Sequence, residues 1–171
     1  MPNPSITQIK DLFISRLDVL EHILAVAEAH FPNADALLSE RLAPDMFPLA
    51  GQIAIACNQP RGFSQWCAGQ PIDNLSIEIG SLAEALGHIR DTKARVAAID
   101  VADAKLDEIK RIGLGPGRHC ELPGRQYLND YLVPNLYFHI SMAYAILRHL
   151  GAPLGKTDFM GYLAPYIREE N

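Results

Sequence analysis

The segment Pro134–His149, PNLYFHISMAYAILRH, has apolar side chains on almost every side of a helix. On a 3.6-residue period Asn135 and His139 share one face, while Tyr137 and Tyr144 lie opposite. A helix that is apolar all round belongs in the centre of a domain. We therefore expect the remaining helices to wrap around this one.

Apolar residues at helical spacing predict four main helices, near residues 6–30, 48–68, 80–99 and 134–150. Capping boxes mark two of their starts, Ser5 with Gln8 and Ser81 with Glu84. Pro60 lies inside the second helix. Because an interior proline removes a backbone hydrogen bond and clashes one turn back, we expect a kink or break near residues 56–59.

Glycine and proline punctuate residues 100–124, which predicts an irregular crossover with a brief hairpin around GLGPGRHCEL (residues 113–122). The string GLGPG neither follows a clear strand nor opens a helix, so a phosphate-binding loop is disfavoured. Four helices, one long irregular crossover before the last of them and no alternating strand runs predict an all-α four-helix bundle. We expect a single domain over residues 1–171.

Composition narrows the classes of function. The net charge is −5 and cationic residues are scattered among acidic ones, which argues against a nucleic-acid partner. Because no stretch is long and apolar enough to cross a bilayer, and MPNPSITQIKDLF lacks the pattern of a signal peptide, we expect no membrane association. Three cysteines without C-x-x-C spacing favour a reduced, cytoplasmic protein in which they are buried.

Two motifs carry a family resemblance, RLAPDMFPLAGQIAIAC (residues 41–57) and YLVPNLYFHISMAYAILRHLGAPLGKTDFMG (residues 131–161). They closely resemble a bacterial family of unknown function within the DinB-like superfamily of four-helix bundles. The matching positions are Arg41, Asp45, Met46, Gln52, Asn135, Phe138, His139, Tyr144, Arg148, Gly155, Lys156 and Asp158. The resemblance implies the bundle fold and a homodimer, but no established reaction.

The superfamily typically holds a divalent metal with three histidines, one near the start of the second helix and two on the last helix. In this sequence His139 is the only plausible ligand in such a position, because Asn135 stands four residues before it and Ala143 four after. Asp45 and Gln52 occupy the entry to the second helix. Zinc and nickel prefer nitrogen and sulfur donors, so we expect no cofactor, with a zinc or nickel ion as the alternative.

Two candidate sites follow from the polar residues of these motifs. Asp45, Gln52, Asn135 and His139 form a candidate ligand pocket. The resemblance implies that the entry to helix two lies beside the last helix, so we expect His139 near Asp45 or Gln52, either of which would give the imidazole the partner it needs. The structural alternative is a core histidine with satisfied hydrogen bonds.

A candidate anion site consists of Arg148 and Lys156. The alternative for these two residues is a charge cluster with Asp158 that holds the C-terminal segment in place.

Three functions remain open: a small-molecule-binding bundle with a polar pocket around His139, a metal-dependent or histidine-assisted transferase or hydrolase, and a structural or stress-associated homodimer. Fold analogy alone is a weak argument for the enzyme. Helix one has more apolar residues than one buried stripe requires. We therefore expect a homodimer that uses helix one or helix three and leaves the His139 face free for a ligand.

Overall fold

The computed structural model describes residues 4–168 and is mainly helical. Its α-helices and strands are α1 (Ile6–His30), α2 (Leu49–Cys67), α3 (Leu82–Ala97), β1 (Ile109–Gly113), β2 (His119–Pro123), α4 (Gly124–Gln126), α5 (Val133–His149) and α6 (Lys156–Phe159). Three 3₁₀ segments cover Ala34–Ser39, Asp103–Asp107 and Gly161–Tyr166, and a π-helical segment covers Tyr127–Leu132. The four long helices form the predicted bundle, so the all-α fold class is confirmed.

Capping explains where α1 and α3 begin. The Gln8 amide donates to Ser5 Oγ (3.3 Å) and the Ser5 amide donates to Gln8 Oε1 (2.9 Å), as the capping box predicts. At α3 the Glu84 amide donates to the Ser81 hydroxyl, but the Glu84 carboxylate accepts from the Gly80 amide instead (2.8 Å). The second box is therefore closed one residue earlier than predicted.

The central helix of the bundle is α2 and not α5. Nearly every side chain of α2 is buried, and it packs most extensively against α5 and α3. Small residues such as Ala50, Gly51 and Ala54 let its neighbours approach from all directions. The buried residues of α5 lie on only part of the helix surface, and Phe138 is exposed. The expectation of a central α5 is therefore wrong.

Pro60 does not break α2, which runs without interruption from Leu49 to Cys67. The backbone around the proline is held from outside, because Pro60 and its neighbours Gln59 and Arg61 are all buried against other elements. The Gln59 side chain also donates to the Ile55 carbonyl (2.9 Å). Tertiary packing thus overrides the local penalty, and of the predicted kink or break the break does not occur.

The crossover contains the predicted hairpin, in which β1 and β2 pair antiparallel with Ile112 opposite Cys120. Gly124, directly after β2, packs against Trp66 and the Leu106 carbonyl so closely that a Cβ atom there would clash. Helical structure then begins at Gly124, ten residues before the predicted start at Pro134. Its π-helical turns directly precede this proline, which cannot donate a backbone hydrogen bond.

The apolar side of α1 is buried within the chain's own core. Phe13, Leu17, Leu20 and Ile23 are inaccessible to solvent, and Leu12 is partly buried against the same core. The apolar stripe of α3 is buried as well. The expectation of spare apolar surface on helix one or three is therefore wrong, because the bundle itself uses that surface.

Within residues 4–168 no helix combines the length and the apolar character that a membrane crossing requires. The three thiols are free: Cys57 and Cys67 are buried as expected, while Cys120 is only partly buried. Burial raises the pKa of Cys57 to about 12 and that of Cys67 to about 11. Both thiols are therefore protonated and unreactive at neutral pH.

Candidate functional site

A buried hydrogen bond joins α5 to the first turn of α2. The ring atom Nδ1 of His139 lies 2.7 Å from Oε1 of Gln52, and both side chains are buried. The amide nitrogen of Gln52 donates to the Phe47 carbonyl (3.0 Å), which fixes the orientation of the amide group. Since Oε1 can only accept, Nδ1 of His139 must carry the ring proton.

The second ring nitrogen, Nε2 of His139, has no partner among residues 4–168. No buried side-chain nitrogen or oxygen atom in that range lacks a hydrogen bond, so Nε2 must be reached by solvent. Burial of the ring lowers the pKa of His139, which keeps the imidazole neutral at pH 7. The site therefore presents one oriented lone pair at the protein surface.

Two exposed aromatic residues flank the Gln52–His139 pair, Phe138 next to His139 in the chain and Phe47 at the carbonyl that accepts from Gln52. Phe138 meets the His139 ring edge-on, with centroids 5.2 Å apart, and about half of its surface is exposed. Phe47, whose carbonyl binds Gln52, is equally exposed and packs over Gly51. The exposed ring of Phe138 offers apolar contact next to the imidazole.

Of the four predicted pocket residues, the structure brings Gln52 and His139 into contact. Asn135 lies one helical turn before His139 in α5, on the same face, and is half-buried. Asp45 is exposed in the segment before α2 and makes no hydrogen bond or ion pair with His139. Of the two predicted partners for His139, Gln52 is therefore the one that it contacts.

The predicted cluster of Arg148, Lys156 and Asp158 does not form. Arg148 donates to the Ala152 carbonyl (3.1 Å) just past the end of α5. Asp158 instead accepts from the Gly155 amide and binds Nε2 of His22 on α1 (2.8 Å), and both interactions hold its pKa below the usual range. Asp158 thus holds α6 against α1, and Arg148 and Lys156 share no contact among the described residues.

Metal-binding groups are not gathered anywhere in the described range. Among residues 4–168 no three side chains of histidine, cysteine, aspartate or glutamate lie close enough to hold one ion. At the superfamily position, His139 is accompanied by the Gln52 amide and the Phe138 ring. Amide and aromatic groups are poor ligands for zinc or nickel, so the donors present do not fit such an ion.

A second set of polar residues was missed by the sequence reasoning. A cavity of about 430 Å³, which we call the hairpin cavity, lies between α2, the β-hairpin, the loop after α2 and the π-helical segment. Its walls include Gln59, Lys110, Arg111, Tyr127 and Tyr131. One signal was available: residues 109–119, IKRIGLGPGRH, contain three cationic side chains and no acid.

Comparison with known proteins supports the resemblance drawn from the two motifs. A family model described as a domain of unknown function (DUF1993) matches residues 7–160. The crystal structure of a DinB family member protein from Shewanella denitrificans superposes with a TM-score of 0.77 at 32% sequence identity, covering 89% of each chain. No curated protein matches the sequence. The chain therefore belongs to the DUF1993 family of DinB-like helical bundles, for which no function is established.

Proposed function

We propose that this protein is a small-molecule-binding helical bundle whose ligand donates a hydrogen bond to Nε2 of His139. The observation that supports the proposal is the fixed, neutral imidazole: Gln52 holds the proton on Nδ1, and Nε2 reaches solvent without a partner. Each nitrogen of a buried histidine pairs with a protein group or with water, and here only Nε2 is left to the solvent side, where a ligand can replace water. The open acceptor makes ligand recognition the better interpretation.

The chemistry of the ligand follows from the neighbours of His139. Phe138 offers apolar contact, the exposed Phe47 lies at the carbonyl that binds Gln52, and the half-buried amide of Asn135 offers a further polar group one turn away. A hydroxyl or amide donor on a flat apolar body matches this arrangement. A charged ammonium group does not, because no acidic side chain pairs with His139.

Binding of 4-methylphenol, followed by NMR on ¹⁵N-labelled protein, tests the proposal. The expected result is a shift of the His139 Nε2 resonance, with 4-methylanisole binding several-fold more weakly because its oxygen has no proton to donate. A matched pair of variants separates His139 from other histidines: His139→Phe should weaken 4-methylphenol, and His149→Phe should not. Equal binding of the two compounds to the wild-type protein would refute the proposal, even if His139→Phe failed to fold.

A histidine-assisted enzyme is the second candidate, and the same geometry favours it. A neutral imidazole with its Nδ1 proton held by a neighbour can accept a proton at Nε2, as a general base does. Reaction would require the bound molecule to place an acidic proton within hydrogen-bond distance of Nε2. Turnover of a hydroxyl-bearing ligand that is abolished in His139→Phe would favour the enzyme over the binder.

We also propose that the site works without a tightly bound transition metal and that the protein is cytoplasmic, as its free thiols suggest. The incomplete ligand set at the superfamily position supports the first statement. Metal analysis of protein purified without an affinity tag should find far less than one equivalent of zinc or nickel. Near one equivalent after dialysis would make the metalloenzyme the better interpretation.

The family resemblance also supports a homodimer, with an interface outside the buried stripes of α1 and α3. Light scattering at micromolar protein should then give twice the mass of the chain. The exposed residues Phe47 and Phe138 belong either to a ligand site or to a dimer interface, and substitution of Phe138 distinguishes the two roles. If Phe138→Ser dissociates the dimer, this face is an interface between protomers and the ligand proposal falls.

A further inference from the structure

The hairpin cavity is cationic in a protein whose net charge is −5. Lys110 and Arg111 both line it, and none of the described residues that line it is acidic. Its volume of about 430 Å³ is in the range of small-molecule sites. Two positive charges in one concave site, without acidic residues in its walls, produce a local potential that attracts anions.

Lys110 occupies an inward-facing position of β1. It shares the more buried face of the strand with Ile112, while Ile109, Arg111 and Gly113 are more exposed, and Arg111 and Gly113 border the cavity from the exposed face. Burial lowers the pKa of Lys110, with a smaller effect in the same direction from Lys105, and no carboxylate opposes that shift. No acidic side chain among residues 4–168 pairs with the half-buried Lys110, so its ammonium group is free to bind an anion.

Arg111 is the secondary cation of the cavity. One of its guanidinium nitrogens lies 3.3 Å from Nδ1 of His119, and Glu121 stands directly opposite it across the hairpin. Glu121 therefore offsets part of the charge of Arg111, whereas the residue opposite Lys110 is the apolar Leu122. Lys110 is thus the principal group for anion binding, and Arg111 adds to its field.

Two tyrosines from the π-helical segment form the wall beside Lys110. The rings of Tyr127 and Tyr131 are stacked with centroids 5.8 Å apart, and the Lys110 ammonium lies 5.8 Å from the centre of the Tyr127 ring. Tyr127 is buried, yet its hydroxyl makes no hydrogen bond within the described range, so it must open onto the cavity. A flat apolar body can lie against these rings while a polar edge reaches the hydroxyl.

The opposite wall is fixed by amide side chains of α2. Asn58 both donates to and accepts from the backbone of Leu75, which holds the loop after α2 in place. The Gln59 amide nitrogen is engaged with the Ile55 carbonyl, which leaves its oxygen for the cavity. Most of the wall is therefore held in position before a ligand arrives, which lowers the entropy lost on binding.

We propose that the hairpin cavity binds a small organic anion, with its carboxylate or phosphate group at Lys110 and its flat body against Tyr127 and Tyr131. This site is separate from the one proposed at His139. Gln59 lies seven residues after Gln52 along α2, about 10 Å away along the helix axis. The two proposals therefore stand or fall independently, because the hydrogen-bond donors tested at His139 carry no charge.

Isothermal titration with benzoate and phenyl phosphate, and with the uncharged benzyl alcohol, tests this inference. The anions should bind and benzyl alcohol should bind at least tenfold more weakly, because it lacks the charge-assisted hydrogen bond. Whichever anion binds more tightly identifies the head group as carboxylate or phosphate. Equal affinity for benzyl alcohol, or no heat from either anion at millimolar concentration, would overturn the inference.

Two charge variants locate the anion on the hairpin. Lys110→Met removes the inward cation and should weaken the anions about tenfold or more, whereas Arg118→Met removes an exposed cation of the same hairpin outside the cavity and should change affinity less than about twofold. Equal effects of both variants would show diffuse attraction to the hairpin and contradict a built site. Lys110 is half-buried on a surface strand, so both proteins should fold, which circular dichroism verifies.

A third variant tests the position of the flat body without a change of charge. A Cβ atom at Gly62 would lie 3.7 Å from the Tyr127 hydroxyl, so Gly62→Leu places a larger side chain in the cavity. Binding of both anions should be lost, while the response of His139 to 4-methylphenol should be retained. Unchanged anion affinity in a folded Gly62→Leu protein would place the anion elsewhere and overturn the inference.

Discussion

The helices α1 and α2 both carry the core of the bundle, but they do so with different side chains. All buried residues of α1 are apolar. α2 is buried on nearly every side and includes five buried polar side chains, Gln52, Gln59, Arg61, Ser64 and Gln65. α1 therefore contributes only apolar packing to the buried interior and makes its polar contacts, such as His22 with Asp158, outside it, whereas α2 also makes directed hydrogen bonds in the interior.

Each polar side chain of α2 has a specific partner. Arg61 donates to the Asp73 carbonyl (2.9 Å) and binds Asp91 of α3 (3.0 Å), and Gln65 exchanges hydrogen bonds with the Asp73 backbone. These contacts fasten the loop after α2 over the helix. The comparison teaches that a central helix uses polar residues to fix its neighbours, and both proposed binding sites lie at such residues.

Leu20→Ala tests the packing role of α1 directly. It should be the most destabilising of the changes considered. Leu20 is inaccessible to solvent, and removal of its side chain loses transfer free energy and leaves a cavity. The free energy of unfolding should fall by about 2–5 kcal/mol in urea denaturation. The NMR signals of the His139 ring should stay unchanged, and a shifted ring would show that α1 and the α2 site are coupled.

Gln52→Met should have the next largest effect and tests the directed bonds of α2. The substitution keeps the volume but leaves the Nδ1 proton of His139 without an acceptor, which should lower the free energy of unfolding by about 1–3 kcal/mol. The tautomer of His139 should become mixed, as ¹⁵N NMR of the ring reports. A ring that keeps its proton on Nδ1 would mean that Gln52 does not orient the imidazole.

The pH dependence of stability gives a smaller effect from the same pair. Burial lowers the pKa of His139 below its usual value of 6.5, so the unfolded chain binds its proton first as the pH falls. The contribution of the neutral His139 ring to the free energy of unfolding is fully present above pH 6.5. It is lost as the pH falls from 6.5 toward the pKa of His139 in the folded protein. In His139→Phe this part of the pH dependence should disappear from urea denaturation series, and identical slopes in both proteins would contradict it.

Gly62→Ala should have the smallest effect and the opposite sign. The added methyl group meets only ordinary contacts, with the Tyr127 hydroxyl and Ile72 at 3.7 and 3.9 Å. Replacing a glycine inside a helix should then raise the free energy of unfolding by about 0.5–1 kcal/mol. A destabilised protein in thermal denaturation would mean that α2 is packed as tightly at Gly62 as at Gly51.

The contrast between the two helices also explains what could be predicted from the sequence. The bounds of α1 follow from local rules, since apolar periodicity and the Ser5–Gln8 capping box act within a few residues. The centrality of α2 could not be read in this way, because its small and polar residues gain meaning only from distant partners such as Asp73 and His139.

The candidate sites follow the same rule. The contact of His139 with Gln52 could be anticipated from the family resemblance, which brings the two motifs together. The hairpin cavity could not, because Lys110 and Tyr127 become neighbours only when the hairpin folds back on the bundle. The absence of acidic residues in 109–119 indicates the cationic part of that site, but it does not predict that Tyr127 and Tyr131 lie beside it.

The π-helical segment Tyr127–Leu132 determines how far Tyr127 is rotated about the helix axis relative to His139. Each π-helical turn holds one more residue than an α-helical turn, and one residue corresponds to a rotation of about 100°. Deletion of Asn129 would therefore turn Tyr127 away from the cavity while His139, which follows the segment, kept its place. The π turns thus give Tyr127 and His139 an angular relation that an uninterrupted α-helix would not provide.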